Sequence, residues 1–263
     1  MEILVCAKRV PDTSENEIEL NGAGNDIERD ELVYSVNEPD NYAVEEALKM
    51  VEAAGGSVTV VTVGDSEDEE ILRREMAMGA NRAALLSDDA FRGSDGKGVA
   101  SILKAFVEKG RYDLILTGVQ ADDGAAQVGG MLAAMLDYPF ASLVNAVEVL
   151  EGGRLKVSRE IEGGNREINE LDLPCVLSIQ TGINEPRYVG MRGIRQVASV
   201  PIPTLGTSEL GLRVDAAGQA AAKVRRLDYF VPEASKGAEM LEGDREEVAA
   251  RVVELMKAKG GLN

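Results

Sequence analysis

The order of apolar and polar positions divides the chain into three stretches. Up to about residue 139, short apolar runs alternate with amphipathic ones. Ile3 to Ala7, Ser57 to Val63, Arg82 to Leu86 and Asp113 to Gly118 are compact aliphatic or β-branched runs, the pattern of strands covered on both faces. Between them, Asn41 to Ala54 sets Ala43, Val44, Ala47, Leu48 and Val51 on one helical face and stops at Gly55-Gly56. Glu67 to Met78 predicts a second helix ending at Gly79, and Val99 to Glu108 a third. A fourth helix is expected from Ala125, where Val128, Met131, Leu132, Met135 and Leu136 take helical spacing. Strands and helices alternating at this pace imply right-handed crossovers. The expected fold is α/β, a largely parallel twisted sheet with helices on both faces.

After Pro139 the period shortens. Ala141 to Leu150, Arg154 to Ile161 and Glu167 to Asn169 alternate apolar with polar around Gly152-Gly153 and Gly163-Gly164, which predicts antiparallel hairpins. Cys175 to Ile179 is a further apolar strand. From Thr181 to Pro203 come turn formers and the cations Arg187, Arg192 and Arg195; residues 210–232 are too rich in Ala and Gly to form a core of their own. A last helix over Asp244 to Lys257 carries Val248, Val252, Leu255 and Met256 on one face. Residues 14–34, polar and acidic with an Asn21-Gly22 turn, predict a surface excursion. The expected division is an α/β domain over 1–203 and an extended C-terminal arm over 204–263.

Ligands of parallel sheets lie beyond the carboxyl ends of the strands, here Cys6-Ala7, Val63-Gly64, Leu86-Ser87 and Thr117-Gly118. At the last of these, Gly118 leads through Val119, Gln120, Ala121, Asp122, Asp123 and Gly124 into the fourth helix. A strand-turn-helix corner directs unpaired N–H groups and a positive helix end at one place, a seat for phosphate. Asp122 or Asp123 can equally be an ordinary N-cap. The corner lacks the Lys-Ser/Thr of a P-loop and is no GxGxxG.

Composition narrows the chemistry. With 28 basic and 46 acidic residues, a net charge of −18 argues against a broad grip on nucleic acid or anionic membrane. The absence of His removes Ser-His-Asp and Cys-His nucleophiles and leaves a transition metal only carboxylates and two distant thiols. Cys6 and Cys175, both inside apolar runs, read as buried thiols. No apolar run reaches the ~20 residues of a membrane span, and the strand-like start leaves no room for a leader, so a cytoplasmic location is expected.

Six segments together resemble the beta subunit of electron-transfer flavoproteins: Ala7-Lys-Arg-Val-Pro-Asp12, Asn37 with Ala43-Val-Glu-Glu-Ala47, Ala77-Met-Gly-Ala80, Gly118 to Gly129, Arg159-Glu-Ile-Glu-Gly-Gly164 and Asn184-Glu-Pro-Arg-Tyr188. They cover most of the chain in the family's order. The resemblance implies a nucleotide-α-hydrolase-like sheet and a C-terminal arm clasping an alpha subunit that holds most of the FAD. It further implies AMP as a structural ligand in this subunit, and no catalysis of its own. The implied AMP contacts are Cys6 and Ala7, Asn37, Glu38, Pro39 and Asp40, Val63 and Gly64, and the corner from Gly118 and Gln120 through Asp123, Gly124, Ala125, Ala126, Gln127 and Val128 to Gly129. Gln127 can instead pack the helix's first turn.

Ile183, Asn184, Glu185, Pro186, Arg187 and Tyr188 correspond to the family's recognition loop, with Ile183 the residue that plugs into an acyl-CoA dehydrogenase; Ile183 can also cap the core of a turn, and Arg187 can pair with Glu185 or with a partner carboxylate. Electrons would pass onward to a quinone reductase. The chain departs from the family pattern in places. The corner is one residue shorter, Glu38-Pro39-Asp40 replaces an Asn-Pro arrangement, and Thr13 stands where some members carry an aromatic near the flavin. Leu86 to Asp95 resembles electron-bifurcating members that hold a second FAD in place of AMP, although Gly96-Lys-Gly98 lacks their usual Thr and Ala. A reading of another class is a free-standing, homodimeric adenine-nucleotide sensor of similar fold.

Overall fold

The computed structural model describes residues 1–122, 124–232 and 237–261. Strand β1 (Glu2–Cys6) leads to a short ribbon of β2 (Arg9–Pro11) and β3 (Tyr34–Val36), paired antiparallel. Helix α1 (Glu38–Ala54) begins three residues before the apolar periodicity, because Pro39 sits in its first turn, where a missing N–H costs nothing, and Glu38 and Asp40 face the positive end. It ends at Gly55 (φ 77°). Strand β4 (Ser57–Val63), helix α2 (Glu69–Met78), strand β5 (Arg82–Leu86), helix α3 (Gly96–Val107) and strand β6 (Leu114–Gly118) continue the alternation.

Helix α4 (Val128–Leu136) starts three residues later than its apolar spacing predicts. Ala126 takes a positive φ of 53°, which no right-handed helix accommodates. Residues 124–127 therefore lengthen the corner as exposed loop. Next come β7 (Phe140–Leu150), β8 (Arg154–Ile161), β9 (Asn165–Asp172), β10 (Cys175–Ile179), α5 (Met191–Val197), β11 (Thr204–Leu205), α6 (Thr207–Leu210), α7 (Gly218–Ala221) and α8 (Arg245–Ala258). Helix α5 was not expected, and β9 is far longer than Glu167 to Asn169.

The main sheet runs β11-β5-β4-β1-β6-β10-β7-β8-β9, parallel from β11 to β7 and antiparallel over β7-β8-β9. The α/β class, the parallel sheet and the hairpin additions are as expected. Strand β1 sits at the switch point, with β4 added on one side and β6 on the other. Alternate residues feed two cores: Ile3 and Val5 pack with α1 and α2, while Leu4, Val61 and Ile115 pack with α3 and α4.

Two compact units emerge, Met1–Ile18 with Arg29–Leu227, and Glu19–Glu28 with Asp228–Asn263. Within the first, residues 204–224 are fastened to the β5–α3 loop. Asp88 accepts the Thr207 N–H at 2.8 Å, Ser94 the Gly218 N–H at 2.8 Å, and Asp95 the Lys223 N–H at 2.6 Å. Leu210 and Ala217 thereby reach the α3/α4 core that their own stretch cannot supply. In the second unit Leu20 bridges Ile27, and Asp244 caps α8. Among the described residues no helix is long and apolar enough to cross a membrane.

Helix α4 approaches the sheet at Gly129, where an added Cβ would lie 2.5 Å from Ser178 Oγ and 2.8 Å from Thr117 Oγ1, two hydroxyls bonded to each other at 2.8 Å. Gly129→Ala is expected to destabilise the chain by about 1–3 kcal/mol through overpacking, despite the better helix former; urea unfolding midpoints measure it.

Candidate functional site

A cavity of about 620 Å³ opens at the carboxyl ends of the central strands, within the roughly 300–1,000 Å³ span of small-molecule sites. Three segments meet in its wall: Val10 to Ser14 from the end of β2 onward, Ser35 to Pro39 with Asn41 from β3 into the start of α1, and Val119 to Asp122 after β6; Arg74, Gln180 and Thr181 complete it. Of the residues expected to hold a nucleotide, Asn37, Glu38, Pro39, Gln120, Ala121 and Asp122 are brought together here, and Asn37 Nδ2 donates to the Gln120 carbonyl at 3.0 Å across the gap.

Other expected contacts lie elsewhere. Cys6, Val63 and Gly118 end their strands, and Ala7 and Gly64 directly follow theirs, without lining the cavity. Gly124, Ala125, Ala126 and Gln127 form exposed loop, and Val128 and Gly129 open α4. Gln127 lies against the start of α3, its Oε1 2.8 Å from where a Cβ on Gly96 would stand. Asp122 does not cap α4, whose N-cap is Gln127, and Asp123 lies outside the described residues.

Asp40 is not in the wall but beneath it. Its Oδ2 accepts the Lys8 N–H at 2.8 Å and its Oδ1 the Gly118 N–H at 2.9 Å, so one carboxyl joins the ends of β1 and β6 across the switch point. Gly118 is required there, because a Cβ would fall 2.3 Å from Asp40 Oδ1. The corner amide that pattern alone offers to a phosphate is thus already held by an internal anion. Burial raises the Asp40 pKa from 3.8 to about 7 against these hydrogen bonds.

Glu75 on α2 is fully buried, with neither carboxyl oxygen hydrogen-bonded. Burial first, and the Asp40 charge second, raise its pKa from 4.5 to about 8. Burial also pushes the Cys6 thiol far above its ordinary range, with the Asp40 charge adding to it. Periodicity gave no hint of Arg74 or Glu75, since charged residues on an amphipathic helix read as its solvated face.

Segment 183–188 is organised by α1. Ile183 is half-buried against the α1/α2 core. Asn184 Nδ2 donates to the Tyr42 carbonyl and to Glu46, each at 3.0 Å. Arg187 grips Glu45 through Nε (2.8 Å) and Nη2 (3.0 Å) and reaches Glu52 at 2.8 Å. These carboxylates raise its pKa further, so it is a fixed cation. Its partners are therefore Glu45 and Glu52 rather than Glu185. Glu185 is exposed and Pro186 partly covered, while Tyr188 is 92% and Met191 65% exposed. Among the described residues no cluster of His, Cys, Asp or Glu could hold a metal ion.

A doubly faced parallel sheet with a polar cavity at its switch point defines the class, an α/β protein with a cavity beyond its strand ends, the place where such sheets take their ligands. Residues 25–210 match the electron transfer flavoprotein domain family. The chain is 37% identical to electron transfer flavoprotein subunit beta of Methylophilus methylotrophus over 262 residues, covering 97% of this chain and 98% of the relative. It is 37% identical to the caffeyl-CoA reductase–Etf complex subunit CarD of Acetobacterium woodii over 98% and 99%. It is 32% identical to electron transfer flavoprotein subunit beta of Bacillus subtilis over 98% of each. The chain belongs to the electron transfer flavoprotein family, as a beta subunit.

Two outcomes test this geometry. Glu75 and Asp40 ionise in the unfolded chain at 4.5 and 3.8 but in the folded chain only at about 8 and 7. Between those values the unfolded state binds fewer protons, so stability falls as pH rises. The stability of Glu75→Gln relative to the parent is expected to grow from pH 5 to pH 8, by on the order of 2–4 kcal/mol, then level off; urea melts across this range read it. Arg187→Ala leaves Glu45 buried without its cation and is expected to cost about 2–3 kcal/mol, most of it restored by adding Glu45→Gln in a double-mutant cycle.

Proposed function

We propose that this chain is the beta subunit of a heterodimeric electron-transfer flavoprotein that keeps AMP as a structural ligand and supports the FAD of an alpha subunit. The observation carrying the AMP reading is the convergence of Asn37, Glu38 and Pro39 with Gln120, Ala121 and Asp122 on one cavity of nucleotide-binding size. Amides, hydroxyls and backbone there suit a purine and ribose, and Arg74 is the one cation among the lining residues. The redox chemistry belongs to the flavin, while the protein supplies position and local field.

Docking to an acyl-CoA dehydrogenase, with electrons passing on to a quinone reductase, is proposed through the surface around residues 183–195. Exposed Tyr188, Met191 and Ile194 stand there beside Arg192 and Arg195. Aromatic and apolar anchors within a polar rim carry most of the energy of such interfaces. The second unit is proposed to clasp the alpha subunit, since Phe230, Val231, Met240, Val252 and Met256 lie exposed.

A second reading is favoured by the match to CarD and by segment 86–95. Here the chain would belong to an electron-bifurcating complex with FAD in the beta-subunit site. In this structure, however, Asp88, Ser94 and Asp95 of that segment already bind the backbone of residues 207–224. The free-standing sensor has no comparable support.

Acid extraction of the purified complex, followed by nucleotide analysis, separates the readings. One FAD and one AMP per heterodimer is expected. Two FAD overturns the AMP assignment in favour of bifurcation, and a stable homodimer of this chain alone that takes up ATP overturns the subunit reading.

A further inference from the structure

Asp40 and Glu75 are buried carboxyls contributed by different helices to the same core. Their settings are opposite. Asp40 is equipped for ionisation, accepting the Lys8 and Gly118 amides with help from Asn37. Glu75 has no hydrogen-bond partner at either oxygen, so a charge on it would be uncompensated and it keeps its proton. The other charged or titratable groups acting on the pair are Arg74 on α2, Lys8 beyond β1, and the Cys6 thiol, which stays protonated. The pair backs onto the cavity: Pro39 and Asn41, on either side of Asp40, and Arg74, next to Glu75, stand in its wall.

We propose that Asp40 and Glu75 form a proton-binding site answering to charge in the cavity, so that an anion arriving there draws a solvent proton onto Asp40 and its departure returns that proton. No bond between heavy atoms changes and nothing is oxidised; the step is one proton from water to a carboxylate oxygen. The direction follows from Coulomb's law in a poorly hydrated setting, where a second negative charge favours the neutral acid. Linkage makes the effect reciprocal, so protonation of Asp40 tightens anion binding. The inference rests on the reading that the cavity takes an anionic nucleotide. With Asp40 titrating near pH 7 and Glu75 near 8, the response covers neutral pH.

The experiment uses the complex of this chain with its alpha subunit. Infrared titration of the nucleotide-free complex is expected to show a protonated-carboxyl stretch lost in two steps. The lower step should be absent in Asp40→Asn and the upper in Glu75→Gln. Calorimetry of AMP binding at pH 7 and 8, in buffers of different ionisation enthalpy, should show proton uptake in the parent. AMP affinity should fall severalfold across that unit of pH. Asp40→Asn should lose most of the uptake at pH 7. Should that variant fail to assemble, Glu75→Gln decides through loss of the upper infrared step and a smaller uptake at pH 8. AMP binding without proton exchange, or infrared steps insensitive to both substitutions, overturns the proposal alone. AMP failing to bind overturns the nucleotide reading and the coupling with it.

Discussion

Where a parallel sheet reverses its direction of growth, the chains leaving two neighbouring strands part toward opposite faces, and the amides just past the ladder between them lose their partners. Here those amides belong to Lys8 and Gly118, and one carboxylate, Asp40, answers both. Unpaired, each buried N–H would cost about 1–3 kcal/mol, and the ends of β1 and β6 could splay. Much follows from this one contact. It holds the first turn of α1 at the switch point, forbids a side chain at Gly118, and sets Asn37 and Pro39 opposite the β6–α4 corner. The cavity is the space left above it.

The same helix holds the second feature of interest on its outer flank. The segments Ala43-Val-Glu-Glu-Ala47 and Asn184-Glu-Pro-Arg-Tyr188 are far apart in sequence but interlock in space, Glu46 with Asn184 and Glu45 with Arg187. Glu45 and Glu46 are buried acids that would be liabilities alone. Arg187 and Asn184 cover them, and Ile183 is drawn onto the core by the same stapling. Tyr188 is left outside, where the staple ends.

The centre of the sheet and its helices were legible because burial marks the sequence: β1, β4, β5, β6 and β10 are compact apolar runs, and the inward faces of α1 to α3 carry the helical period. What escaped was governed by other causes. Helix α5 buries no residue, so Met191 and Ile194 leave no stripe to read. Strand β9 is largely exposed and polar, and only its register with β8 defines it. The late start of α4 depends on the positive φ of Ala126, which its residue type does not announce. The presence of a cavity at the strand ends was readable from topology. The involvement of Asp40 as an internal anion, of Arg187 as a clamp on α1 and of Glu75 as a buried acid was not, since each depends on a partner or an enclosure distant in sequence.

Helix α1 thus carries a proton-sensitive carboxyl at one end and a charged staple further along its length. Seventeen residues of helix span roughly 25 Å, and helices bend far less readily than loops. Mechanically α1 is a stiff beam with fittings at both stations, so that any pivot at the Asp40 mount swings the 184–187 fitting along the same arc.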